Sequence, residues 1–257
     1  MVDRADGDVD DLGRVVALPP AVRRVVSLVP SLTEAVAVTA PGLLVGATDW
    51  CSEPPKLDVA RVRGTKNPDL AAIAALRPDV VLANFEENRE VDLDALRAAG
   101  LPVWVTVVRT VPEGITSLER MLRACRLDRP SWLEEADAVW RVPFAGSRLT
   151  AVVPIWRRPW MACGHGTFTG DVLARLGVDN VLEGSPERYP RFDPTSVTAD
   201  LVVLPDEPYL FTAQDGPEAF AGIPAALVSG RHLTWYGPSL AEARQVLTTA
   251  LAVRLPA

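Results

Sequence analysis

Lysine is almost missing from this chain of 257 residues. Only Lys56 and Lys66 occur, which leaves 24 of the 26 basic residues as arginine. The basic residues form no run and the net charge is −7, so the sequence offers no electrostatic footprint for nucleic acid. His165 and His232 are the only histidines, too few for a multi-histidine zinc or manganese site. The three cysteines, Cys51, Cys125 and Cys163, are odd in number and widely spaced. They are expected as free thiols of a reducing compartment, not as a disulfide framework. No apolar run reaches the roughly 18 residues of a membrane span, so no membrane insertion is expected. The stretch from Met1 to Leu12 is acidic, without the basic start and apolar run of a secretory signal or a lipid-attachment cysteine. A cytoplasmic location is the expectation. Walker, H-E-x-x-H, G-x-S-x-G and G-x-G-x-x-G motifs are all lacking. The spacing Gly164-x-Gly166-x-x-x-Gly170 does not directly follow the strand expected to end near Ile155 and is no dinucleotide loop.

What the chain does have is a repeat. Leu76-Arg77-Pro78-Asp79-Val80-Val81-Leu82 runs into an acidic loop, Asn84-Phe85-Glu86-Glu87-Asn88. Thr198-Ala199-Asp200-Leu201-Val202-Val203-Leu204 runs into another, Asp206-Glu207-Pro208-Tyr209. Asp79 precedes the next strand entry at Gly100 by 21 positions, and Asp200 precedes Gly222 by 22. With 48% apolar residues there is material for two hydrophobic cores.

Strands are expected at Arg23 to Val29, Leu43 to Asp49, Val80 to Ala83 and Val103 to Val108. The second half should add Leu149 to Ile155, Val202 to Leu204 and Ala225 to Val228. Helices between them imply parallel sheets with loops gathered at the strands' carboxyl ends. Ser31 and Glu34 have capping-box spacing, so a helix should begin at Ser31, its N-terminus favouring anions. Helical patterns at Ser117 to Arg126 and Ser131 to Val142, broken at Pro130, form the connector. The expected fold is α/β, with two Rossmann-like lobes related by an internal repeat, a helical connector and a ligand cleft between lobes. Its boundaries are 1–112, 113–147 and 148–257.

With these residues laid out, the chain resembles the periplasmic solute-binding proteins of the vitamin B12, haem and iron-siderophore transport class, the type III, helical-backbone group. Asp11-Leu12-Gly13-Arg14-Val15 and Arg24-Val25-Val26-Ser27-Leu28-Val29-Pro30-Ser31-Leu32-Thr33-Glu34 are similar to that family's opening. Gly64-Thr65-Lys66-Asn67-Pro68-Asp69-Leu70 is similar to its second helix. Phe85-Glu86-Glu87-Asn88-Arg89, Ile155-Trp156-Arg157-Arg158-Pro159-Trp160-Met161 and Thr234-Trp235-Tyr236-Gly237 resemble a B12-binding-like subgroup. The resemblance implies a bound corrinoid, haem or iron chelate, with no cofactor required. Relatives dock to an ABC permease through a surface glutamate on each lobe. Here Ala71 and Thr195 stand at those positions, which puts permease docking in doubt.

The expected ligand contacts are Ser31, Trp50, Phe85, Glu86, Glu87, Arg109, Trp156, Arg157, Trp160, Trp235 and Tyr236. The aromatics supply flat contact area, the arginines meet anionic groups, and the glutamates orient polar edges. Trp104, Trp132 and Trp140 fall within strand or helix patterns and should pack the interior. A cytoplasmic enzyme on the same fold is the alternative, with Glu86, Glu87, His165 and Cys163 as its chemistry. His165 is also a candidate axial ligand to a corrinoid or haem metal. An import receptor lacking its signal and a sensor acting through a protein partner complete the readings.

Overall fold

A computed structural model describes residues 8–255. The first seven residues of the acidic start lie outside the described residues. Contacts divide the chain into two compact units. The first comprises residues up to Val108, Gly114–Glu134 and Tyr236–Pro238; the second comprises Arg109–Glu113, Glu135–Trp235 and the chain from Ser239 on. Where the sequence reading set a separate connector at 113–147, the contacts thus share that stretch between the units. The reason is visible in its helices: Ile115, Leu118, Met121 and Leu122 are buried, so the segment packs as part of a core.

Unit one begins with β1 (Val25–Ser27), α1 (Pro30–Thr39) and β2 (Leu44–Ala47). Short strands β3 (Ala60–Arg61), β4 (Arg63–Gly64) and β5 (Asn67–Pro68) lead to α2 (Leu70–Ala75). Then come β6 (Val80–Asn84), α3 (Glu90–Ala98) and β7 (Val103–Thr106); the next helices, α4 (Val111–Ala124) and α5 (Ser131–Trp140), are divided between the units. Unit two has β8 (Leu149–Val152), the hairpin β9 (Pro154–Arg157) and β10 (Trp160–Ala162), α6 (Phe168–Arg175) and β11 (Val178–Asn180). It ends with β12 (Leu201–Pro205), β13 (Ala225–Val228), α7 (Gly230–Thr234) and α8 (Leu240–Ala252).

The two sheets share one topology. Unit one has the order β3-β2-β1-β6-β7 and unit two β11-β8-β12-β13, with every pairing parallel. In each, the second main strand lies to one side of the first, and the third and fourth lie to the other. The internal repeat therefore extends from spacing to strand order, and it reaches individual hydrogen bonds. Asp79, just before β6, accepts from the backbone N–H groups of Arg23 (2.7 Å) and Arg24 (2.9 Å) at the start of β1. Asp200, just before β12, accepts from Thr150 N (2.8 Å) and Thr150 Oγ1 (2.8 Å) in β8. At the other end, Phe85 N donates to Thr106 O and Asp206 N donates to Val228 O.

Side chains cap the starts of two helices. Asp69 caps α2 by accepting from Ala72 N (3.0 Å), and Thr167 caps α6 by accepting from Gly170 N (3.1 Å). The capping box expected at Ser31 does not form. Pro30, already suited to a first helical position, starts α1 one residue earlier, and Val29 is the cap. Ser31 and Glu34 are consequently inside the helix and buried.

Each core is a band of apolar strand residues covered by helices. In unit one Val26, Leu28, Val81, Ala83 and Val105 pack with Ile73, Leu93 and Leu96. In unit two Val152, Val202 and Leu204 pack with Phe211 and Phe220. Full burial of each Leu or Phe contributes roughly 1.5–3 kcal/mol against the entropy of ordering it. Trp104, Trp132 and Trp140 are buried as expected. Trp132 donates to Thr39 Oγ1 (3.0 Å) and Trp140 to Leu240 O (2.9 Å). The three cysteines are buried and form no disulfide. The open edge of β7 is covered by the chain's beginning: Asp11 N donates to Val105 O, while the Asp11 carboxylate takes Val107 N and Arg120. That pairing protects an edge strand that would otherwise offer itself to other chains. Among the described residues, no helix is long and apolar enough to cross a membrane.

Candidate functional site

In open parallel sheets, ligands bind outside the carboxyl ends of strands where the connections turn in opposite directions. In unit one that point lies between β1, whose helix leads to β2, and β6, whose helix leads to β7. In unit two it lies between β8 and β12. Every predicted contact residue follows the carboxyl end of a strand. Ser31 follows β1, Trp50 follows β2, Phe85 to Glu87 follow β6, and Arg109 follows β7. Trp156, Arg157 and Trp160 form the hairpin after β8, and Trp235 and Tyr236 follow β13 and α7.

The loop after β6 is held by its two asparagines. Asn84 Oδ1 accepts from Glu86 N (2.8 Å) and Glu87 N (3.2 Å), and Asn88 Oδ1 accepts from Asn84 N (2.9 Å). Asn88 Nδ2 reaches back to Thr65 O (3.0 Å) and Leu28 O (3.4 Å), tying the loop to the end of β1. Lys66 donates to Glu86 O from the side. The result is a fixed platform from which Phe85 protrudes. Phe85 is 51% exposed and Trp50, after β2, 69%.

Tyr236 supports this platform from beneath. It is buried, and its hydroxyl meets Asn84 Nδ2 (2.7 Å) and Thr106 Oγ1 (2.8 Å). Burial pushes its phenol well above the usual tyrosine range. The Glu87 charge adds to the rise, and hydrogen bonds with Thr106, Asn84 and Ser31 offset part of it. Gly237 lets the chain pass close to α1, since a Cβ there would lie 3.0 Å from Ser31 O. Tyr236 is thus a strut in the site and not an exposed stacking surface.

Unit two arranges its aromatics in two ways. Trp160 turns inward, stacked on Phe211 (centroids 5.9 Å apart, 6° between planes) and edge-on to Phe192 and Phe220. Trp156 turns outward, 43% exposed, with its edge against Tyr209. Arg157, expected to meet an anionic ligand group, is instead paired with Asp215 and Glu218 and lies over the Trp160 ring. Two carboxylates of its own unit already match its charge. Arg109 is exposed and makes no ion pair among the described residues; Glu113 accepts from its backbone N–H (2.8 Å). Trp235 is buried, its indole N–H donating to Glu207.

Glu207 and the loop it occupies were not singled out from sequence as a site. Asp206 accepts from Gly230 N (2.6 Å), and a Cβ at Gly230 would fall 2.9 Å from Glu207 backbone atoms, so only glycine fits beneath this loop. Burial pushes the Glu207 carboxyl above the ordinary glutamate range; Asp206 adds to this, while the Trp235 bond and the Arg231 charge oppose it. The native carboxyl therefore holds its proton more tightly than the unfolded one. Its stabilisation is complete below the ordinary value of about 4.3 and is lost as pH rises through the folded value. Glu207→Gln should accordingly become more stable relative to the parent as pH rises from about 4 to 7. Urea melts across that range check this, and a pH-independent difference would contradict it.

Cys163 is buried, whereas His165 is exposed with Nδ1 3.4 Å from Glu183 Oε1. Among the described residues, no cluster of three or more His, Cys, Asp or Glu side chains could hold a metal. Ala71 and Thr195 are both exposed and uncharged.

No protein-family model matches the chain. Its fold is similar to that of periplasmic binding proteins of known structure. The crystal structure of the periplasmic vitamin B12 binding protein of Vibrio cholerae aligns with a TM-score of 0.70 at 17% identity, over 90% of this chain and 97% of that one. The periplasmic haem-binding protein of a Roseiflexus species, in apo form, aligns with a TM-score of 0.70 at 16% identity, over 90% and 98%. In sequence, the chain is 23% identical over 262 residues to the vitamin B12-binding protein of Pectobacterium carotovorum subsp. carotovorum, covering 93% of this chain and 91% of that protein. The resemblance noted from sequence is the one these comparisons return.

Proposed function

We propose that this protein binds a flat macrocyclic or metal-chelate ligand, of corrinoid, haem or siderophore type, at loops that follow the carboxyl ends of its strands. The observation that carries the reading is the outward turn of aromatic side chains at those loops: Trp50 and Phe85 in unit one, Trp156 in unit two. Exposed rings of this size on fixed loops suit a flat face, and relatives named for vitamin B12 and haem supply the ligand class. Glu86 and Glu87 would orient polar edges of the ligand. The buried thiol and exposed imidazole of Cys163 and His165 give catalysis no comparable support.

We propose further that the protein works in a reducing compartment, since its three cysteines form no disulfide. Delivery to a permease is not part of this reading, because Ala71 and Thr195 bring no charge to the positions where relatives carry docking acids. Native mass spectrometry of protein purified from its own host tests the ligand reading. A co-purified corrinoid, haem or iron chelate at one per chain is expected. An empty protein that also takes up none of these when added would overturn it.

A further inference from the structure

The hairpin of unit two has two chemically different faces. Ala162 N donates to Pro190 O (3.1 Å) and Phe192 N to Trp160 O (3.3 Å), so the segment 190–192 lies alongside β10 as a third extended stretch. Residues directly opposite one another in antiparallel strands project from the same face, and the next pair projects from the other. Arg157 is opposite Trp160, and that face is turned to the Phe192, Phe211 and Phe220 rings. The adjacent row is therefore on the outer face. There Trp156 is opposite Met161, and Met161 is opposite Arg191.

This outer row is an indole, a thioether and a guanidinium in line. Met161 and Arg191 line a cavity of about 430 Å³ together with Tyr189 and Glu187. Arg191 is exposed and makes no ion pair among the described residues, not even with the Glu187 carboxylate of the same cavity. Its neighbour on the inner face, Arg157, has two carboxylate partners. The unmatched guanidinium thus lies at the end of an apolar, polarisable strip. Trp and Met accept a flat apolar face, and Arg binds carboxylate through paired N–H donors.

We infer that Arg191 is a specificity residue of this half of the site, taking a carboxylate substituent at the edge of a flat ligand that lies along Trp156 and Met161. The inference rests on the ligand-binding reading proposed above. It adds that the protein selects acids over the corresponding amides.

Two corrinoids separate the cases. Cobyric acid carries a free carboxylate where cobinamide carries an amide, and hemin carries two propionates. Absorbance titrations of the full chain should show cobyric acid binding at least tenfold tighter than cobinamide. Arg191→Met should bring that ratio close to one and weaken hemin by a similar factor, with an unchanged melting temperature. Arg191→Lys should recover part of the preference. Equal affinity of the parent protein for the acid and the amide would overturn the inference while leaving the ligand reading intact. So would affinities for cobyric acid and hemin that are unchanged in Arg191→Met. Uptake of no macrocycle by the parent protein would also overturn the inference, and uptake of no iron chelate either would overturn the ligand reading with it.

Discussion

Asn84→Ala is expected to lower stability by about 3 kcal/mol, the largest effect of any single polar substitution in unit one. The side chain serves two networks at once. Its amide nitrogen meets the buried Tyr236 hydroxyl and also Thr106, and its oxygen holds the N–H groups of Glu86 and Glu87. Truncation removes all of these bonds, and the phenol keeps only part of its bonding inside a core that water does not reach. An unmatched buried polar group costs about 1–3 kcal/mol, more than the bond itself contributes when made. Denaturant melts check the size. Tyr236→Phe, which removes one oxygen and leaves Asn84 its Thr106 contacts, should cost less, about 1–2 kcal/mol. The Asn84 variant should also weaken ligand binding, because the loop that presents Phe85 loses its internal brace. A change below about 0.5 kcal/mol would show that the platform does not depend on Asn84.

Trp156→Ala should behave in the opposite way, with affinity falling and stability nearly unchanged. The ring is exposed on the outer face of the hairpin, and its contacts within the unit are an edge against Tyr209 and a bond to Arg158 O (3.2 Å). Loss of a buried aromatic contact in a complex typically costs about 2 kcal/mol, equivalent to roughly 30-fold in Kd. Surface substitutions away from packed features shift stability by about 0.5 kcal/mol or less. Trp160→Ala is the informative contrast. That ring packs against three phenylalanines, so its removal should cost stability first, as a large-to-small core change of about 3 kcal/mol. Isothermal titration paired with thermal melts separates the two outcomes, and equal behaviour of the two variants would contradict the assignment of faces.

The repeat was legible in the sequence because each half uses an Asp just before its third main strand and an acidic loop just after it. Asp79 and Asp200 mark the start of the same structural event, and strand order follows from the alternation of strands and helices. Loop positions at the carboxyl ends were legible for the same reason. What each loop residue faces was not. Trp156 and Trp160 are four positions apart on either side of Arg157-Arg158-Pro159, and only the hairpin register, absent from the sequence reading, sends one outward and the other inward. The partners of Arg157 were equally hidden, since Glu218 lies 61 residues away. Tyr189 and Arg191 were missed because they sit in an irregular segment without periodicity, joined to the hairpin by two backbone bonds. The capping box at Ser31 failed for a local reason: its spacing was right, but Pro30 is the stronger helix start.

The most direct measurement is a titration of the purified chain with cyanocobalamin, cobyric acid, hemin and a ferric catecholate, followed by absorbance and by thermal unfolding. Binding of one class should saturate at one ligand per chain. At a ligand concentration 100 times Kd it should stabilise the folded state by about 2.7 kcal/mol. Trp156→Ala should weaken that same ligand, and Arg191→Met should weaken it where it carries a free carboxylate. Absence of saturation with every one of these ligands, with unchanged unfolding temperatures, would contradict the claim that these carboxyl-end loops form a macrocycle- or chelate-binding site.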